Sequence, residues 1–158
     1  MKTIKYLQMT TLFLTVALAG PLAAANETPF RGNVQAVEAQ VVVFPTLSVN
    51  GTGNGIATHL GKFTMTYEGE VNLLTRVGMG SIEFIAANGD RVFADFVGQS
   101  TPTGTPNVVS IVETATITGG TGRFAGATGN FVLMRTLDQV TGSTFGMFDG
   151  TIVTLHGK

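Results

Sequence analysis

From Phe63 to Val71 the chain alternates without a break. Phe63, Met65, Tyr67, Gly69 and Val71 fall on one side, and Thr64, Thr66, Glu68 and Glu70 on the other. A period of two suits a strand with one buried face; a helix repeats every three to four residues. The same alternation, broken by Gly, Asn and Pro clusters, predicts strands over 33–44, 57–75, 79–87, 90–98, 108–118, 130–140 and 144–155. Pro45 ends the first of them. Asn88-Gly89 between two alternating runs predicts a tight hairpin, because both turn positions need positive φ. Residues 46–56 (TLSVNGTGNGI) read as a loop on their turn-forming composition, and 99–107 (QSTPTGTPN) as an exposed loop. Residues 26–158 hold 20 Gly and 20 Thr beside many Val, Ile and Phe, the composition of an all-β chain rich in turns. Seven or eight antiparallel strands suit a sandwich or a barrel, and only the barrel abolishes exposed edges.

The first 25 residues read as a separate segment. Lys2 and Lys5 precede an apolar run from Leu12 to Ala19, and Ala23-Ala24-Ala25 supplies small residues for cleavage before Asn26. The run is shorter than the ~20 apolar residues of a membrane span. The expected organisation is therefore a signal peptide at 1–25 and one domain at 26–158, secreted or periplasmic. Without Lys2 and Lys5, seven basic residues face ten acidic ones, which argues against a nucleic-acid surface. Cysteine is absent, so the core must hold without disulfides and no thiolate can act.

The segment Thr116–Phe131, TITGGTGRFAGATGNF, concentrates glycine at 119, 120, 122, 126 and 129 around Phe124. With Asn54–Phe63, Ala86–Asp90 and Gly146–Ile152, it resembles the allene oxide cyclase barrel-like family, bacterial relatives of plant allene oxide cyclases and dirigent proteins. The resemblance implies an eight-stranded antiparallel β-barrel with a hydrophobic cavity, often trimeric in the plant proteins. It implies a small hydrophobic ligand as partner and, if the chain is an enzyme, isomerase- or cyclase-like chemistry without a cofactor. No plant catalytic position matches a residue here, so none is carried over. The non-catalytic alternatives are a carrier and a structural or surface-interaction protein. The glycines themselves read as tight turns, with Phe124 placed to plug one barrel end. A phosphate cradle needs a helix after the glycines, and a strand follows instead.

Pairing Thr118 with Asn130 sets Glu113 opposite Arg135 on the more apolar face, beside Ile111, Ala115, Phe131 and Leu133. A three-residue loop at Thr141–Ser143 would then set Arg135 opposite Asp149. An arginine forked between carboxylates is tolerable on an apolar wall, whereas an unpaired one is not. Glu113, Arg135 and Asp149, with the hydroxyl of Tyr67, are thus the candidate ligand-contacting groups, and a one-residue slip would turn Asp149 outward. Other candidates carry less. His59 and His156 are too few for a metal site, so no metal is expected. Gly55–Lys62 lacks the phosphate-loop pattern, with Ile at 56 and Phe at 63. No G-x-S-x-G serine occurs. Glu83 and Asp95, on the two arms of the Asn88-Gly89 hairpin, are expected on opposite faces.

Overall fold

The computed structural model describes residues 27–155. The leader read at 1–25 and His156 lie outside them. Eight strands follow one another: β1 (Thr28–Val43), β2 (Thr46–Ala57), β3 (Gly61–Asn72), β4 (Val77–Ala86), β5 (Arg91–Pro102), β6 (Val108–Gly120), β7 (Thr128–Asp138) and β8 (Ser143–Val153). Each pairs antiparallel with the next, and β8 pairs with β1, so the sheet closes into a barrel. Among the described residues no helix is long and apolar enough to cross a membrane.

Two expected loops are corrected. Residues 46–56 form β2, paired along its length with β1 and β3. Its glycines answer to packing rather than to turns: a Cβ on Gly51 would run into the ring of Tyr67. The exposed loop starts only after Pro102, because β5 continues through 99–102 against β6.

The two ends of the barrel differ. Phe30, Phe63, Phe84, Phe131 and Phe148 fill one half, with neighbouring ring centroids 5.0–6.4 Å apart in edge-on and tilted contacts. Leu60 in the β2–β3 turn and Phe124 in a short 3-10 turn (Gly122–Phe124) close that end; both are buried. Phe124 thus sits as the plug expected of it. Gly122 and Gly126, with φ of 57° and 70°, let the chain fold over this end. At the other end Gly69, Gly78 and Gly98 take inward positions alongside Val71, Phe96 and Ser100, around a small open pocket, the barrel's mouth.

Candidate functional site

The β6–β7 register decides the first pair of candidates. Thr116, not Thr118, lies opposite Asn130, a shift of two residues from the expected pairing. An even shift preserves the faces, so Glu113 and Arg135 both point inward. Arg135 now lies opposite Ile111 and reaches Glu113 along the diagonal, within range of a long side chain. Its Nε donates to Glu113 Oε2 at 3.0 Å and its Nη2 to Glu113 Oε1 at 2.9 Å, a two-pronged charge-assisted contact.

The β7–β8 register overturns the third candidate. The chain turns over Gln139–Gly142, with Gly142 N donating to Asp138 O and Gly142 at φ 71°. Leu137, not Val140, then lies opposite Thr144. That shift of three is odd, so Asp149 is sent to the outer face. There it accepts from Arg31 Nε at 2.7 Å, with both side chains more than half exposed. Asp149 is not part of the interior cluster.

Glu38 of β1 takes the place expected of Asp149. Its Oε2 accepts from Arg135 Nη1 at 3.0 Å and from the Tyr67 hydroxyl at 2.9 Å; its Oε1 accepts from Gln40 Nε2 at 2.6 Å. Arg135 Nη1 also donates to Thr144 Oγ1 at 3.3 Å, and Thr144 Oγ1 donates to Thr136 O. The guanidinium lies 5.4 Å from the centre of the Tyr67 ring, within range of a cation–π contact. Glu38, Tyr67, Glu113 and Arg135 are all less than a tenth exposed. The network therefore sets two carboxylates against one guanidinium in a buried setting.

The electrostatics follow from that burial. Burial is the largest cause of the upward push on the Tyr67 phenol; the Arg135 charge opposes it and Glu38 adds to it, leaving the phenol well above the ordinary tyrosine range. Burial works against the Arg135 cation, but the charge and hydrogen bonds of Glu113, with Tyr67 and Glu38, outweigh it. The guanidinium is held more firmly protonated than usual.

Glu38, Glu113 and Arg135 form the floor of the mouth. The mouth pocket measures about 60 Å³, with Leu47, Val49, Phe96, Ile111 and Leu137 among its walls. Below it a void of about 10 Å³ lies between Tyr67, Glu113, Arg135 and Thr144 and apolar neighbours such as Met65 and Leu133. That is about the room one water needs. Larger grooves of about 780 and 960 Å³ lie on the outer wall. They are lined mainly by outward-facing residues, the first also touching Glu38 and Tyr67 and the second Arg135, whereas Glu38, Glu113 and Arg135 line the mouth pocket together.

The remaining candidates stay apart from this site. His59 is exposed in the β2–β3 turn at φ 62°, and its carbonyl accepts from Arg123 Nη2. Glu83 lies opposite Phe93 and Asp95 opposite Ser81, which puts both acids on the outer face. The expectation of opposite faces is corrected by this one-residue difference in register. Glu83 there pairs with Arg91.

Comparison with protein-family models, curated proteins and solved structures returned no match to this chain.

Proposed function

We propose that this barrel binds a small, mainly apolar molecule, admitting one end of it through the open mouth to the Glu38–Tyr67–Glu113–Arg135 network. The observation that carries this reading is the asymmetry of the interior. One half is filled by five phenylalanines, while the other leaves a small pocket walled by Leu47, Val49, Phe96, Ile111 and Leu137, with Gln40, Glu70, Arg76 and Gln139 also lining it and Glu38, Glu113 and Arg135 at its floor. Ligand sites combine these features: apolar lining and a few fixed polar groups that set orientation.

The size of the pocket ranks binding above catalysis. A cavity of ~150 Å³ is what benzene occupies in a protein core, and the mouth pocket offers about 60 Å³. Only a few heavy atoms fit within, and the rest of a ligand rests on the rim. A cofactor-free isomerisation or cyclisation would have to act on those few atoms, within reach of Arg135 or Glu113. Secretion, read from the leader, suits such a carrier.

The test is retention. The protein, expressed from Met1 and purified as processed, is exposed to an extract of fatty acids and phenolics, and retained compounds are identified by native mass spectrometry. We expect one compound class to be retained at a single site, and Val109→Phe at the rim to abolish retention while leaving the melting temperature within a few degrees. If nothing is retained, or if Val109→Phe retains as much as the parent chain, the proposal fails.

A further inference from the structure

β1 is the longest of the described strands, and its last residues outrun its neighbour β8. Pairing with β8 ends at Val37 opposite Ser143. A final backbone bond follows, from Glu38 N to Gly142 O at 3.0 Å. From Ala39 to Val43 the strand is still paired with β2, up to Val43 opposite Thr46, but β8 no longer flanks it. Glu38 bonds toward β8, so by strand alternation Gln40 and Val42 direct their backbone N–H and C=O the same way, into the open edge. Among the described residues the closed barrel therefore keeps a short free edge here, where β1, in its hairpin with β2, runs on past the end of β8.

That edge carries none of the usual guards. Exposed edges are normally protected by charges, most often lysine, or by bulges or proline within the strand. Here no Asp, Glu, Lys or Arg occurs from Ala39 to Gly61, and proline appears only at the turn, as Pro45. Val41, Val42, Val43 and Phe44 are each at least 60% exposed. Val41 and Val43 project from one face of the hairpin and Val42 from the other. Val140, in the turn beside the edge, is also exposed.

We propose that a second copy of this chain adds its own 39–43 segment to this edge, antiparallel and about a twofold axis through Val41. The choice of occupant rests on self-complementarity. In that arrangement Gln40 of each copy faces Val42 of the other, so each open N–H meets an open C=O. The segment is uncharged, so two copies meet without like-charge repulsion. The valines on both faces of each hairpin gain a neighbour. Val41 meets its symmetry mate at a pair without mutual hydrogen bonds, where side chains approach closest. The contact is isologous and closes at two copies. It buries less than a standard interface, so the association is weak and concentration-dependent. It is independent of the ligand reading above.

Sedimentation velocity across a concentration series tests it, on the protein expressed from Met1 and purified as processed. The parent chain is expected to shift from monomer to dimer. Val42→Pro removes only an edge-facing N–H, leaves the β1–β2 bonds in place, and should weaken the dimer at least tenfold. Val41→Lys and Val41→Glu should each be monomeric alone and dimerise when mixed, because their charges meet only if residue 41 lies beside its own mate. Far-UV circular dichroism establishes that each variant is folded, and the mixing experiment decides alone if Val42→Pro is not. A parent chain that stays monomeric throughout overturns the proposal. So does a dimer indifferent to all three substitutions, which would place the contact on another surface such as the outer wall at Met134 and Met147.

Discussion

Glu38 on β1 and Arg135 on β7 meet at 3.0 Å although β8 lies between their strands. The contact passes across the inner face of β8 beside Thr144, which the same guanidinium nitrogen also engages. Barrel closure makes this possible, because the curved wall brings inward side chains of next-nearest strands together. The network thus ties β1, β3, β6, β7 and β8 through Glu38, Tyr67, Glu113, Arg135 and Thr144.

Removing its cation should cost more than removing one of its anions. Arg135→Met leaves Glu38 and Glu113 buried without a counter-charge, and breaking a buried pair in this way costs ~3–5 kcal/mol. Glu113→Gln keeps a carbonyl acceptor for Arg135 and leaves the Glu38 pair intact, so a loss of ~1–3 kcal/mol is expected. Adding Glu113→Gln to Arg135→Met should then cost less than the two single losses added. Urea denaturation of the three variants checks the order.

Asp149 supplies the contrast. Its pair with Arg31 is mostly exposed, and such pairs contribute ~0–1 kcal/mol. Asp149→Asn should leave the urea midpoint almost unchanged and leave ligand retention as in the parent chain. A large loss in either would restore Asp149 to the interior.

Tyr67 reports on the network directly. The chain has two tyrosines and no tryptophan. In a chain processed before Asn26, Tyr67 is the sole tyrosine. Its folded-state pKa is raised, so the folded protein keeps the phenolic proton where the unfolded chain, titrating near ~10, loses it. The stability this contributes is fully present below pH ~10 and declines as pH rises beyond it. Tyrosinate absorbance should therefore be delayed until the barrel unfolds. Tyr67→Phe should lack that alkaline loss of stability, apart from whatever other groups contribute.

Gly51 should tolerate no side chain. An added Cβ would meet the Tyr67 ring, which holds the hydroxyl on Glu38. Gly51→Ala should destabilise by ~1–3 kcal/mol through overpacking and should restore a more ordinary tyrosine titration. Gly104, exposed in the β5–β6 loop with nothing within 4 Å of an added Cβ, is the control position.

The alternation of apolar and polar residues, the Asn88-Gly89 turn and the glycine block made the all-β class and most strand positions legible in the sequence. They also placed Glu113, Arg135 and Tyr67 on an inner face, because face assignment depends only on parity and survived the two-residue shift between β6 and β7. Three things were left to the tertiary structure. β2 reads as a loop because its glycines look like turn residues, and only the neighbouring Tyr67 ring shows that one of them is required by packing. Asp149 depended on the length of the β7–β8 turn, where an odd difference reverses the face. Glu38 carried no usable signal, since both faces of β1 mix apolar and polar residues in similar measure: Val34, Ala36, Glu38 and Gln40 on one, Asn33, Gln35, Val37 and Ala39 on the other. Parity is a local property that a chain can carry in its residues. Which strands stand close enough to share a charge is set only when the sheet closes.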